Sequence, residues 1–429
     1  MANSTDDTEE DDKEEDNEED DEEEEESVDV EKSESIPDVR DNDEFGIQDQ
    51  DLFTQRFKAF DDLKKWKLKS GKYVENVLYM LGMKCRHHNL VHSFILDLTD
   101  EFVRKEFDKD EILEMIEKEN CQDPELDDDI LTYIDSFSKS STKEIRQVLN
   151  TPHPRLGEDY NPKTDFAYEH VRTTVSDWVR LLEMEPNPLS LDMPEAWYRM
   201  NVWRTVDIAF SDVPFTYFVG GEKAGLACSE RKNRSRKLSN VKPMERKAIG
   251  KKGDGYVRTI GSISVDWAAS EAGAKWEGAH GTKLMKESGL SMPRTLKDIF
   301  CLLAGKIGFM EQKLRKLKVV GYVHAGAVLI RTNLDSPAGY ICRYTKGKPL
   351  EVYASISSFS KSLDVLVDIL YAKLTILQTM KVVHDDDGNA NNIARWKRQR
   401  KSELTEVAII PDVHPTPKKL RREGKKRDG

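Results

Sequence analysis

The stretch KVVGYVHAGAVLI, residues 318–330, limits the folds open to this chain more than any other. Only Lys318 and His324 carry a strongly polar side chain there. An extended segment that is apolar on both faces must be covered on both faces, so it belongs inside a sheet sandwiched by helices. The neighbouring pattern supplies those layers. PRTLKDIFCLLAGKIGFMEQKLRKL precedes it with a continuous helical apolar face, and LDVLVDILYAKLTILQTM follows GYICRYTK as a closing helix. Further upstream, TYFVGG, AGLACSERKN, DGYVRTI and SISVDWAASEAG read as short strands, the last two joined at Gly261-Ser262. PEAWYRMNVWRTVDIAF reads as a helix opening at Pro194. The expectation is an α/β (α+β) core over residues 186–383, with a mixed sheet, flanking helices and His324 as a core histidine.

Residues 51–185 carry three-to-four-residue apolar recurrence in LFTQRFKAFDDLKKW, KYVENVLYML, NLVHSFILDLTDEFVRKEF, KDEILEMIEKE and DDDILTYIDSF, and predict a helical region. The two ends are different. Residues 1–50 hold 26 acids against 3 bases, whereas the rest of the chain holds 54 acids and 63 bases. Such an acidic head buries too little apolar surface to offset its ordering entropy and is expected to be disordered. Residues 384–429 are polar and carry two basic clusters, RWKRQRK and KKLRREGKKR, in an expected disordered tail. No apolar run is long enough for a membrane span, and no signal peptide is expected. The five scattered cysteines lack CxxC spacing and read as reduced thiols.

The segment ERKAIGKKGDGYVRTIGSISVDWAASEAG holds the strongest candidate chemistry. Asp254 starts one strand candidate and Glu271 ends the next, 17 residues later. Antiparallel pairing around Gly261 brings the carboxylates together at one end of the hairpin, about 4.5–5.5 Å apart at Cβ. Two such oxygen donors suit Mg²⁺ or Mn²⁺, and the alternative is a pair of solvated strand-end acids. Basic runs flank them. Arg231, Lys232, Arg234, Arg236 and Lys237 form one, and Arg246, Lys247, Lys251 and Lys252 form the other, both suited to a phosphate backbone.

This pattern resembles the PD-(D/E)XK nuclease-like superfamily, whose core runs helix, three strands, helix, strand. The resemblance implies a restriction-endonuclease-like core with Asp254 and Glu271 as metal ligands and Glu195 as an added acid from the first helix. It places the family lysine at Gly273, so Lys275, two residues on and on the same strand face as Glu271, is the expected substitute. From about Lys72 to Lys381 the chain also resembles a group of uncharacterised proteins of early-diverging fungi. VENVLYML, HSFILDLTD, EAWYRMNVWRTVDIAF, LACSERKN, TLKDIF and DSPAGYICR carry that likeness, which implies that the helical and α/β parts form one unit.

Other motifs are weaker. CRHHNLVH offers Cys85, His87, His88 and His92 as zinc-type ligands but reads better as polar helix-turn residues. HDDDGN reads as an exposed turn and GGEKAG as a hairpin turn. The functional expectation is metal-dependent hydrolysis of DNA or RNA phosphodiesters. The alternative is a catalytically inactive nuclease-like fold acting as a nuclear DNA- or chromatin-binding or interaction protein. The basic tail suits an import receptor, the acidic head a basic protein partner, and the location is the nucleus or otherwise the cytoplasm.

Overall fold

The computed structural model describes residues 44–118, 123–236, 246–278, 281, 285–385 and 410–415. The described residues belong to one compact unit, a mixed α/β body, and among them eight strands form one sheet. The strands are β1 (Ile95–Asp97), β2 (Thr216–Ala224), β3 (Lys252–Thr259), β4 (Val265–Gly273), β5 (Lys318–Ala325), β6 (Val328–Asp335), β7 (Cys342–Lys346) and β8 (Leu350–Glu351). Their order is β1-β7-β6-β5-β4-β3-β2, with β8 against β6. β2, β3 and β4 form an antiparallel meander, and β5, β6 and β7 form a second. A parallel pair, β4 with β5, joins the two meanders, and parallel strands need a long crossover. Helix Met292–Lys306 lies in that crossover.

The helices along the chain are α1 (Ile47–Lys58), α2 (Val74–Lys84), α3 (Glu101–Arg104), α4 (Lys109–Glu117), α5 (Asp128–Asp135), α6 (Thr142–Asn150), α7 (Pro162–Leu182), α8 (Glu195–Asn201), α9 (Arg204–Ile208), α10 (Leu226–Asn233), α11 (Met292–Lys306), α12 (Glu311–Leu314) and α13 (Phe359–His384). The main core gathers Trp178, Trp203, Trp267, Phe300 and Tyr322 between sheet and helices. A second cluster, built on Phe45, Phe53, Trp66 and Phe94, also takes in Ile341 beside β7.

Several local expectations change. The apolar run 318–330 is two strands, β5 and β6, turned at Gly326, which has φ +57°. LACSERKN is helix α10, because the buried Asp266 carboxylate accepts from the Leu226 N–H at 2.7 Å and caps the helix from a strand 40 residues away. GGEKAG continues β2 through a bulge between Gly220 and Lys223. The long helix expected from residue 293 stops at Lys306, where Gly308 and Phe309 adopt positive φ before α12. PEAWYRMNVWRTVDIAF splits into α8 and α9 around Trp203. HSFILDLTD is not helical throughout, since Ile95–Asp97 pairs in parallel with Cys342–Tyr344 and completes the sheet edge. A division near residue 185 therefore leaves β1 on one side and its partner β7 on the other.

His324 is buried beside Trp203, with ring centroids 5.0 Å apart, and burial depresses its imidazole to about 3. Cys85, Cys228, Cys301 and Cys342 are free thiols, and Cys121 lies outside the described residues. Among the described residues no helix is long and apolar enough to cross a membrane.

Candidate active site

The β3–β4 register places Gly255 opposite Ser270, so Asp254 and Glu271 fall opposite each other one step further along. Directly opposed residues share a face of the sheet. Asp254 is half-buried, and Glu271 is 8 % exposed at the end of a strand that is otherwise wholly buried. Asp254 Oδ2 accepts from the Ala272 N–H at 2.6 Å. Arg199 Nη1, from α8, donates to the Asp254 carbonyl at 3.2 Å and fixes the strand start.

A cation already stands at the pair. Lys251 Nζ lies 2.7 Å from Glu271 Oε1 and also donates to Ser291 Oγ. Ser291, just before α11, donates to the same carboxylate oxygen at 3.2 Å. The Lys251 backbone is held too, its N–H donating to Cys228 Sγ at 3.3 Å. Gly250 lets it run that close to α10, since a Cβ there would stand 2.1 Å from the Gly225 carbonyl oxygen. In the sequence Lys251 is only one member of a basic run, and no spacing rule separates it from Lys252.

The other candidates are distributed differently. Lys275 pairs with Asp192 at 2.8 Å, both well exposed, and does not reach Glu271. Glu195 sits half-buried in the first turn of α8. Among the described residues no three His, Cys, Asp or Glu side chains gather as a metal-holding group. The carboxylates retain Asp254 Oδ1 and Glu271 Oε2 without a hydrogen bond among the described residues. Two carboxylate oxygens so left fit Mg²⁺, which keeps several waters and takes one or two protein carboxylates.

The two basic runs lie side by side. Asn233 Nδ2 donates to the Ala248 carbonyl at 2.7 Å, and its Oδ1 accepts from the Ala248 N–H at 2.8 Å. Lys232 Nζ donates to the Ile249 carbonyl. Lys232, Arg234, Arg236, Arg246 and Lys247 are exposed, and Lys252 pairs with Glu222 at 3.4 Å. Arg231 is instead structural. Its guanidinium grips Asp298 of α11 through Nε at 2.5 Å and Nη2 at 3.0 Å. Lys237 lies outside the described residues.

Of the histidines of CRHHNLVH, His88 and His92 are buried and His87 is exposed, and among the described residues they belong to no metal-holding group. His92 Nδ1 accepts from the Asn89 N–H and Nε2 meets the Gly82 carbonyl, while its ring stacks on Phe45 at 3.6 Å. Two grooves, about 430 and 470 Å³, lie away from the acids along α5 to α7. Compared with protein-family models, curated proteins and solved structures, the chain gives no match.

Proposed function

We propose that Asp254 and Glu271 form the centre of a Mg²⁺- or Mn²⁺-dependent phosphodiesterase acting on DNA or RNA, on a core of the PD-(D/E)XK type. The observation that carries the reading is the opposed carboxylate pair at the β3–β4 end with the Lys251 ammonium against Glu271. The order β2, β3, β4, α11, β5 supports it, because it follows the strand and helix sequence the family resemblance implies.

Asp254 Oδ1 and Glu271 Oε2 are the oxygens that would hold the ion. Bound, a hard dication polarises a phosphate and lowers the pKa of a coordinated water. Lys251 holds Glu271 Oε1, which leaves Oε2 for the ion, and would set a positive charge beside the reacting phosphate. It takes the part that spacing assigned to Lys275. The exposed Lys232, Arg234, Arg236, Arg246 and Lys247, at and beyond the end of α10 and in the adjoining segment, would neutralise a strand's phosphates.

A second reading is a nucleic-acid-binding protein without catalysis, located in the nucleus through an import receptor, with the acidic head free for a basic partner. It is favoured by the internal engagement of both acids, Asp254 by Ala272 and Glu271 by Lys251. The test is cleavage of plasmid, single-stranded DNA and RNA with Mg²⁺ or Mn²⁺, by the wild type, Asp254→Asn and Glu271→Gln. Metal-dependent cleavage lost in both variants supports the enzyme. Oligonucleotide binding with no cleavage in any metal supports the second reading.

A further inference from the structure

The two ends of the sheet are finished differently. At one end β1 is short, and Ile95, Leu96 and Asp97 are all buried. At the other end β2 is open. The Ile260 N–H donates to the Phe215 carbonyl at 2.8 Å, and Thr216 stands opposite Thr259. Antiparallel alternation then turns the N–H and C=O of Tyr217 and Val219 toward β3, and those of Phe218 and Gly220 outward. Among the described residues these outward groups have no hydrogen-bond partner.

Edges of this kind are ordinarily blunted by charge, by proline or by a covering element. Residues 215–220, FTYFVG, hold no charge and no proline. The first charges, Glu222 and Lys223, come at the bulge beyond Gly220. Apolar side chains beside the edge stand in solvent, with Phe215 70 %, Tyr217 56 %, Ile260 48 % and Ile263 71 % exposed. Phe215 is held there at φ +57°, a backbone conformation that is costly for a bulky residue.

We propose that β2 is an association edge whose partner is β2 of a second copy of this chain, antiparallel about a two-fold axis at Val219. In that register the Phe218 N–H of each copy meets the Gly220 carbonyl of the other, and the Gly220 N–H meets the Phe218 carbonyl, so both outward residues are satisfied. Val219 faces Val219 as a non-hydrogen-bonded pair, with Cα atoms about 4.5 Å apart, the closest side-chain approach an antiparallel ladder offers. Tyr217 comes opposite Gly221, where an added Cβ would meet nothing within 4 Å, so the ring has open space to fill. Lys223 comes opposite Phe215 and Glu222 opposite Thr216. No like charges meet, and the ammonium lies beside an aromatic ring. The pairing does not depend on the chemistry of the Asp254–Glu271 site.

The test uses the full chain at micromolar concentration, with mass read by sedimentation equilibrium. Wild type should show twice the mass of one chain. Val219→Lys sets two ammoniums directly opposite, and Val219→Glu sets two carboxylates opposite, so each variant alone should associate at least about tenfold more weakly. An equimolar mixture of the two should recover the dimer, because unlike charges then face each other. Recovery also shows that both variants fold. Val219→Cys under mild oxidant should give a covalent dimer, since ~4.5 Å between Cα atoms lies within disulfide reach. Tyr217→Cys should not, because that position stands about 14 Å from its symmetry mate. Should the charge variants fold poorly, the two cysteine variants decide the matter.

A wild type with the mass of one chain overturns the proposal. So does a dimer that both charge variants keep, or a covalent dimer from Tyr217→Cys in place of Val219→Cys. A monomeric wild type whose oligonucleotide binding falls in Tyr217→Ala would give the edge to nucleic acid instead of to a second copy.

Discussion

Arg231→Met is expected to destabilise the protein severely while touching no nucleic acid. The Arg231–Asp298 pair joins α10 to α11 through two parallel hydrogen bonds, and the two side chains are only 18 and 4 % exposed. Burial pushes the Asp298 carboxyl up against the pull of Arg231. Removing the guanidinium leaves a carboxylate in the interior with its cation gone, which costs about 3–5 kcal/mol. Arg231→Met/Asp298→Leu removes the charge as well and should return to within about 1 kcal/mol of wild type. Urea unfolding followed by tryptophan fluorescence at pH 7 reads both. The single variant should also recover part of its deficit relative to wild type near pH 5. An unpaired Asp298 has a folded pKa raised above its unfolded value, so the variant is relatively favoured below that value and loses ground as pH rises through it. A single variant within about 1 kcal/mol of wild type, or a double variant as unstable as the single, would refute the argument. So would a fall in the oligonucleotide salt slope in the double variant, which would return Arg231 to the phosphate-binding set.

Lys251→Met should lower metal-dependent cleavage about 10²-fold or more, whereas Lys275→Ala should leave it within about twofold, both read as initial rates. Gly250→Ala forces backbone against the Gly225 carbonyl. It should cost about 1–3 kcal/mol by thermal melt and lower cleavage with it, because Lys251 moves off Glu271. Burial holds His170 down at about 4 in the folded protein. A histidine depressed this way loses stability as pH falls from its unfolded value near 6.5 toward 4, about 2 kcal/mol of it by pH 5. His170→Gln should therefore show a smaller drop between pH 7 and pH 5 than wild type by about that amount, and equal drops would contradict the assignment.

The acid pair is more legible in the sequence than the topology that carries it. Asp254 and Glu271 can be brought to one end of a hairpin because the turn at Gly261-Ser262 folds the two strands together, but their direct opposition also depends on the irregularity between Val257 and Arg258 that shifts the register by one, which no counting reveals. The layered α/β class follows from the apolar run, although Ala-Gly-Ala at its middle lacks the strong turn signal that would divide it into β5 and β6. Helix α10 reads locally as a strand because its cap, Asp266, comes from β4 rather than from the preceding residues. β1 escapes a local reading because its pairing partner lies in β7, and no local pattern records a parallel neighbour so remote. Lys251 and Arg231 belong to one basic surface by composition. Only packing separates the lysine that meets the acid pair from the arginine that locks two helices.

The segment 410–415, buried against Ser93, has a consequence for how the molecule is made. Its His414 N–H meets Ser93 Oγ across 321 residues of sequence, and Tyr340 N–H meets Glu75 Oε1 across 265. A ribosome extending the chain at ~5–20 residues per second spans the first of those intervals in tens of seconds. Over that time Ser93, Phe94 and the β1 edge wait for strands and side chains not yet synthesised. Val91 and Phe94 can meanwhile pack on Phe45, Phe53 and Val74, which precede them, so what stays open is the β1 edge and Ser93, until residues 342–344 and 414 follow.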